Sequence, residues 1–155
     1  MKTNRRTNKL KSRQAEVAAE HWLRESMGCV AIRRAVRTKW QAVDFFGADL
    51  VGVLDTGAKI YVQVTTGGHS AMSTRRAKLG AFPWHASETV LLLNLVATAS
   101  AAKGRRTEYW FRIEEYCSTM CESGRPMCES RRRWQDWPDA YRVPREWFMR
   151  GAASR

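Results

Sequence analysis

Residues 47–66 read GADLVGVLDTGAKIYVQVTT, and this stretch decides the fold class. Its second half, residues 59–66, is rich in β-branched side chains, which favour strands, and its first half, residues 47–54, is mostly apolar. The residues between them, 55–57, are Asp, Thr and Gly, and these residue types favour a turn. The pattern therefore predicts a β-hairpin of two antiparallel strands. A hairpin needs further strands or helices to bury its apolar side chains, and the flanking sequence supplies them.

The flanking segments predict a larger sheet with helices. Upstream, CVAIRRAV (29–36) predicts a strand, and downstream HSAMSTRRAKLG (69–80) predicts a helix that ends at Gly80. The near-continuous apolar run ETVLLLNLVA (88–97) is typical of a strand buried on both faces, and TEYWFRIEEY (107–116) predicts a last strand. The expected fold class is α/β, a single domain with a mixed central β-sheet flanked by helices.

The two ends of the chain differ from this central part. Residues 1–13 are basic and carry no acid, so we expect a flexible arm. Apolar residues at helical spacing predict an amphipathic helix over residues 14–27, with Ser12 as its N-cap. The predicted α/β domain covers residues 14–116. Residues 117–155 are basic and Trp-rich, and we expect an irregular extension whose aromatic side chains pack on the core.

The composition favours a polyanionic partner. Among 155 residues, 27 are Lys or Arg and 15 are Asp or Glu, which gives a formal net charge of +12. A hydrophobic content of 44% excludes a wholly disordered basic tail. The charge favours nucleic acid or an acidic membrane surface. The longest apolar run, residues 89–102, is shorter than the roughly 20 residues of a spanning helix, and no secretory signal is visible, so we expect a cytoplasmic protein.

Polar side chains in the predicted hairpin indicate a site. Asp49 stands near the start of the first strand, and Gln63 lies in the second. Side chains at such positions on neighbouring strands converge on one place. Glu16, on the preceding helix, can approach the same place from the side. Taken singly, Asp49 is better explained as a turn residue and Gln63 as an exposed strand residue, so the hypothesis depends on their combination with Glu16 and the order of the elements.

Together with nearby stretches of the sequence, these residues resemble the motifs of a known protein family. Glu16, the pair Arg33–Arg34, VDFFGADLVGV (43–53) and IYVQVTT (60–66) follow one another in the order and spacing of the PD-(D/E)XK nuclease superfamily. Over about residues 14–97 the chain resembles its small archaeal and phage Holliday-junction resolvases. The resemblance implies a restriction-endonuclease-like αβββαβ core and hydrolysis of phosphodiester bonds in branched or duplex DNA. It also implies a homodimer, a Mg²⁺ or Mn²⁺ cofactor, no small-molecule cofactor, and the cytoplasm of a cell or of a phage-infected host.

The resemblance assigns roles to single positions. Asp49 matches the metal-binding aspartate, and Glu16 matches a helix glutamate that supports the metal site. Gln63 and Thr65 stand where the family has the acid and the lysine of its ExK motif, and the Val64 carbonyl matches a metal ligand. The candidate set comprises, as catalytic residues, Glu16, Asp49, Gln63 and Thr65; as metal ligands, Glu16, Asp49, Gln63 and Val64; and, as a supporting residue, Asp44.

Two positions depart from the family pattern. Gln63 retains an oxygen but lacks the charge that strengthens Mg²⁺ binding. Thr65 lacks a cation that would orient the nucleophile or stabilise the transition state. Cations that can replace it are Lys39, Lys59, Arg75 and Lys78. Two functions stay open: a metal-dependent DNA endonuclease with an altered motif, and a catalytically inactive DNA-binding protein that retains the nuclease fold. An RNA-associated basic protein is a third, weaker hypothesis.

Basic residues border the predicted site, and cysteines lie beyond it. The candidate DNA-binding residues are Arg33, Arg34, Arg37, Lys39, Arg75, Arg76 and Lys78. Arginine suits this role because its planar fork bonds two phosphate oxygens at once, although a run of charges is also typical of a solvated face. Cys117, Cys121 and Cys128 form a C-x3-C-x6-C pattern. Structural zinc sites use four ligands, so we expect reduced thiols here and no zinc.

Overall fold

The predicted hairpin is present and forms part of a larger sheet. In the computed structural model, which describes residues 4–37, 42–43, 45–85, 87–98, 107–117 and 134–149, strands β4 (Leu50–Val53) and β5 (Lys59–Thr65) pair antiparallel. At the turn, Gly57 has φ = 84°, a conformation that glycine adopts without a steric penalty. Its N–H donates to the Leu54 carbonyl at 2.9 Å. The turn thereby fixes which residues of the two strands face each other.

The other described elements surround this hairpin. The helices are α1 (Asn4–Glu25), α2 (His69–Gly80) and α3 (Glu146–Met149). The strands are β1 (Ala31–Arg34), β2 (Val36–Arg37), β3 (Ala42–Val43), β6 (Thr89–Thr98), β7 (Glu108–Tyr116), β8 (Trp134–Asp136) and β9 (Tyr141–Val143). The predicted helix over residues 69–80 is confirmed, and so are the predicted strands 47–54, 59–66, 88–97 and 107–116 apart from their ends. The single strand predicted over residues 29–36 is wrong in extent, because the chain divides at Ala35 into β1 and β2.

The sheet is mixed, with the strand order β1-β4-β5-β6-β7-β8, and β9 pairs with β7 beside β8. Strands β5 and β6 run parallel, and the other pairs in this sheet are antiparallel. Helix α2 supplies the connection that a parallel pair requires. Strands β2 and β3 form a separate two-stranded ribbon. The described chain is thus a single α/β domain with a mixed sheet and a few helices.

Side chains alternate between the two faces of the sheet, which we name after the helices that cover them. On the α1 face, apolar side chains of the sheet pack against one side of α1. These residues are Leu50, Ile60, Val62, Val64, Leu91 and Leu93 from the sheet and Ala15, Ala18, Ala19, Trp22 and Leu23 from the helix. The α2 face holds a smaller cluster formed by Ala48, Val51, Tyr61, Leu79, Trp84, Val90 and Tyr116.

Helix α1 begins at Asn4, inside the segment that we expected to be a flexible arm, so Ser12 lies within the helix and not at its N-cap. The helix ends before Gly28, which has φ = 72°. Trp22 of this helix is buried, with only 1% of its surface exposed. None of the described helices is both long enough and apolar enough to cross a membrane.

Residues 134–149 belong to the extension that we expected to be irregular, and they form β8, β9 and α3. Both strands add to β7, whose outer edge would otherwise present unpaired backbone groups. Aromatic side chains of this segment do pack on the core: Trp147 is buried and its ring lies 5.5 Å from that of His21 and 5.8 Å from that of Tyr141. Three-residue strands leave no periodicity that a sequence could reveal.

Candidate functional site

Asp49 is anchored from two directions at the point where β4 begins. Its backbone N–H donates to the Val62 carbonyl of β5 at 2.8 Å. Its own carbonyl accepts from the Ala35 N–H, just beyond β1, at 2.7 Å. The neighbouring chain segments therefore fix the backbone from which the half-buried carboxylate projects.

The Asp49 carboxylate meets β5 at Gln63 and Val64, as the hairpin pattern predicts. Its Oδ2 accepts one hydrogen bond from Gln63 Nε2 at 2.5 Å and another from the Val64 N–H at 3.0 Å. Gln63 Nε2 also lies 3.2 Å from the Val64 carbonyl oxygen, to which it donates. These two hydrogen bonds place the Gln63 amide between the Asp49 carboxylate and the Val64 carbonyl, and the side chain is only 1% exposed.

The orientation of the Gln63 amide bears on whether a metal ion can bind at this site. An amide N–H carries a partial positive charge, and here it lies between two oxygens that the family resemblance assigns to a metal. Rotating the Gln63 amide by half a turn would present Oε1 in place of Nε2 and would complete three oxygen donors. Mg²⁺ takes such donors, often with one or two carboxylates and several waters. The residues therefore fit Mg²⁺, with Asp49 as the charged ligand.

The electrostatics at this point are those of a weak metal site. In the part of the chain that the structure describes, no group of three or more His, Cys, Asp or Glu side chains converges on a metal position. Asp44, the predicted supporting carboxylate, lies outside the described residues. A neutral Gln63 contributes less attraction to a cation than the acidic side chain that the family carries there.

Thr65 has a structural contact that sequence reasoning missed. It is buried, and its Oγ1 accepts a hydrogen bond from the Gly67 N–H at 3.1 Å, which stabilises the connection from β5 to α2. A Cβ at Gly67 would lie 2.4 Å from the Ala71 Cβ, so this tight connection requires glycine. A hydroxyl group supplies no cation, and the charge of the missing lysine has to come from another residue.

Among the cations that can replace the missing lysine, Lys78 runs beside the loop that leads to Asp49. A Cβ built on Gly47 would lie 3.4 Å from Lys78 Cγ and 3.6 Å from Lys78 Cε. Gly47 also has φ = 98°, so both its backbone conformation and the close approach of the lysine stem favour glycine. Helix α2 thus brings a positive charge to the segment that precedes the candidate site.

Glu16 is placed near Arg34. Both belong to the α1 side of the sheet, since Arg34 lies opposite Leu50 in the β1–β4 register. The hydrogen bond from Arg34 Nε to Glu20 raises the pKa of the guanidinium; burial opposes this shift, and the charges of Glu20 and Glu16 add to it. The structure therefore joins Asp49, Gln63 and Val64, and it places Glu16 within the electrostatic field of Arg34.

The predicted DNA-binding residues fall into two groups. Arg34 is paired with Glu20, and Arg76 forms a bidentate pair with Glu114 at 2.5 and 2.6 Å. The hydrogen bonds to Glu114 raise the pKa of the Arg76 guanidinium. Arg33 and Arg75, by contrast, form no ion pair with another residue of the described ranges. The side chain of Arg37, and the whole of Lys39, Cys121 and Cys128, lie outside the description.

A cavity of about 740 Å³ opens on the α2 face beyond the end of β5. Its lining includes Gly67, Gly68, Arg76, Asn94, Arg112 and Trp137. Asn94 lies opposite Thr65 on one side and Arg112 on the other, and its buried Oδ1 has no hydrogen-bond partner within the described part of the chain. In the sequence, the only indication of this polar cavity lining was Asn94, the single Asn in the otherwise apolar run of residues 88–97.

No protein-family model, curated protein or solved structure matches the chain. The chemical capacity of the site is therefore judged from its own atoms. It offers a carboxylate and a carbonyl oxygen at one strand junction, and an amide oxygen only if Gln63 is rotated, with lysine and arginine side chains on the neighbouring elements. Such an arrangement suits a divalent cation beside a polyanion.

Proposed function

We propose that the protein is a metal-dependent DNA endonuclease of the PD-(D/E)XK type that hydrolyses phosphodiester bonds in branched or duplex DNA. The observation that carries the proposal is the convergence of the Asp49 carboxylate, the Gln63 amide and the Val64 carbonyl at one strand junction. The net charge of +12 supports DNA as the partner.

The order of the elements supports the same proposal. Helix α1 is followed by β1, β4 and β5, which pair antiparallel in that order, and then by α2 and the parallel strand β6. This order supports the αβββαβ core that the sequence resemblance implies, with α2 between the antiparallel strands and the parallel strand. The short β2–β3 ribbon is inserted between β1 and β4. The candidate residues lie at the junction of the second and third strands of this core.

In the proposed mechanism, most of the candidate residues have a distinct task. Asp49 and the Val64 carbonyl would hold the metal, and Gln63 Oε1 would be a further, neutral ligand if the amide were rotated. The chemistry that such a metal would supply is activation of water and stabilisation of negative charge on the phosphate. Lys78 supplies the positive charge that the family places at the position of Thr65. Arg33 and Arg75 bind neighbouring phosphates. Glu16, which the resemblance assigns to the site, lies beside Arg34 on the α1 face and has no task in this mechanism.

Cleavage of defined DNA substrates tests this function. Labelled four-way junction, linear duplex and single strand are incubated with Mg²⁺ or Mn²⁺ and resolved on denaturing gels. We expect symmetric, metal-dependent cuts in the junction that fall more than about 100-fold in Asp49→Ala, because the metal loses its charged ligand. Asp55→Ala is the matched control, since this exposed carboxylate lies in the turn of the same hairpin and should not matter. Metal-independent cutting, or equal effects of both substitutions, would refute the proposal.

A second candidate function is a DNA-binding protein that does not cut. It is favoured by the Gln63 amide, which already satisfies both the Asp49 carboxylate and the Val64 carbonyl without a metal. This function predicts salt-dependent DNA binding that Asp49→Ala leaves unchanged or tightens, because an anion is removed near the phosphates. Absence of cleavage under every metal condition, with tight binding retained, would establish it.

The double variant Gln63→Glu with Thr65→Lys separates the two candidates further. If the motif has lost its chemistry, restoring the acid and the lysine should create or raise metal-dependent cleavage. If Gln63 and Thr65 belong to an adapted working site, the same change should lower cleavage or leave it flat. Melting temperatures measured with EDTA and with Mg²⁺ show whether the variant folds, and they also report metal binding directly.

Resolution of a four-way junction requires two symmetric cuts, so a homodimer is part of the proposal. Sedimentation of the protein alone and with junction DNA measures this state. A monomer in both conditions would leave nicking of duplex DNA as the proposed activity, and a dimer on the junction would support resolution.

A further inference from the structure

Phe46 combines three unusual properties. It is one of the few large apolar side chains with a mainly exposed surface, at 54%. It has φ = 57°, the only positive value found at a non-glycine position among the described residues. It also lies three residues before Asp49, so their Cα atoms are separated by at most about 11 Å. An exposed aromatic ring is thus held close to the candidate site.

The turn that holds Phe46 would normally select other residues. The Ala48 N–H donates to the Phe45 carbonyl at 3.0 Å, and both central residues, Phe46 and Gly47, have positive φ. Turns with two positive φ values favour Asn-Gly or Gly-Gly, because a bulky residue is strained there. Phenylalanine at this position is unfavourable for the backbone. Strained residues of this kind cluster at functional sites.

The Phe46 ring is held in place by two neighbouring aromatic rings. Phe46 stacks on Phe82 with ring centres 4.0 Å apart and planes at 23°, and it meets Trp84 edge-on at 6.1 Å. Trp84 is fixed in turn by a hydrogen bond from its Nε1 to the Leu79 carbonyl at 2.7 Å and by contact with Tyr61. We call Phe46, Phe82 and Trp84 the aromatic platform. Its outer surface is the exposed side of Phe46.

Two basic residues belong to elements that adjoin the platform. The Lys78 stem passes Gly47, the residue that follows Phe46. Arg33 lies opposite Val51, which packs in the same cluster as Phe82 and Trp84. A rigid aromatic ring flanked by cations is the arrangement with which proteins bind unpaired bases, because the base stacks on the ring while its phosphates contact the cations.

We propose that Phe46 is a stacking platform for an unpaired DNA base beside the candidate site. The proposal deepens the proposed function, since it names DNA with unpaired bases, in a single strand or at a branch point, as the preferred substrate class. Duplex DNA keeps its bases stacked on each other and presents none to Phe46. The platform therefore discriminates between DNA structures without reading a sequence.

Binding measurements with EDTA test the proposal without relying on cleavage. Fluorescence anisotropy gives the affinity of the full chain for a labelled single strand and for a blunt duplex. Phe46→Leu should weaken single-strand binding by about 5- to 150-fold, the range for loss of one base–aromatic stack, and change duplex binding less than about twofold. Phe46→Trp should bind the single strand at least as tightly as the parent chain. Val30→Leu is the control at another exposed apolar position, 69% exposed, and should change neither affinity.

A second variant keeps the test valid if Phe46→Leu folds poorly. Phe46→Asn suits the positive φ, so its melting temperature should stay near that of the parent chain while single-strand binding falls by the same factor. Unchanged single-strand affinity in a folded variant, or equal loss on single strand and duplex, would overturn the platform. These results are independent of the nuclease proposal: a protein that never cuts DNA can still bind through Phe46, and a junction nuclease can lack this contact.

Discussion

The two faces of the sheet are built from the same strands but contain different kinds of residue. On β5, Ile60, Val62 and Val64 point to the α1 face and join a wholly apolar core, whereas Gln63 and Thr65 lie on the α2 face and are buried although they are polar. Burying a polar group is unfavourable unless it is hydrogen-bonded, and both side chains have partners. The comparison assigns stability mainly to the α1 face and chemistry mainly to the α2 face.

Among the described residues, a half-buried ion pair lies on each face. Arg34 bonds Glu20 on the α1 side, and Arg76 bonds Glu114 on the α2 side. An arginine already held by a carboxylate has less to gain from a phosphate than an unpaired one. The division between structural and DNA-binding arginines can therefore be tested together with the division between the faces.

The largest effect on stability should come from the centre of the α1 face. Trp22→Ala removes a buried ring that contacts Trp137 and Tyr141, and it should lower the free energy of unfolding by about 3–5 kcal/mol. Urea unfolding measures this, with the exposed Arg24→Ala on the same helix as control, expected within about 0.5 kcal/mol. A small effect of Trp22→Ala would show that α1 does not anchor the domain.

The next largest effect should come from Gly52, where α1-face packing is tightest. A Cβ there would lie 2.6 Å from Cys29 Sγ, so Gly52→Ala should cost about 1–3 kcal/mol of unfolding free energy. Cys29→Ala removes the clashing sulfur, and Gly52→Ala should cost much less in that background. Gly68→Ala provides the control, because no atom lies within 4 Å of its added Cβ. Equal costs of Gly52→Ala in both backgrounds would contradict this packing.

Neighbouring arginines on α2 should separate stability from binding. Arg76→Ala leaves the Glu114 carboxylate buried without its bidentate partner, and we expect a loss of about 1–2 kcal/mol of unfolding free energy after allowance for partial exposure. Arg75→Ala should leave stability unchanged but weaken DNA binding, with a salt dependence of the binding constant that is shallower by about one counterion. The reverse pattern would assign the phosphate contact to Arg76.

The smallest effect should appear at alkaline pH. Burial raises the pKa of the Cys29 thiol above its ordinary value of 9.0, so above about pH 9 the folded chain keeps a proton that the unfolded chain loses. Stability is therefore fully present below this pH and falls as the pH rises, by less than about 1.4 kcal/mol per pH unit, the limit for one proton. Unfolding measured from pH 7 to 10 should be flatter in Cys29→Ala. An identical profile in both chains would exclude Cys29 as the cause.

Much of the site was predictable because it depends on local geometry. Turn residues at 55–57 fix the register of the hairpin, and the register brings Asp49 to Gln63 and Val64. The bounds of α2 were equally clear, since a polar helical pattern follows the Gly67–Gly68 pair and ends at Gly80. The contact of Lys78 with Gly47 could not be read in the same way, because it depends on how α2 packs over a loop.

The sequence by itself determined the hairpin, the order of the main elements, the basic character and the residues that could form a site, since these follow from alternation, turn chemistry and charge. Only the tertiary structure decided which arginines are paired, where the Gln63 amide points, that Phe46 is held exposed at positive φ, and that β8 and β9 complete the sheet. These features depend on contacts between residues far apart in the chain. No local pattern specifies such contacts, because they exist only once the elements have packed.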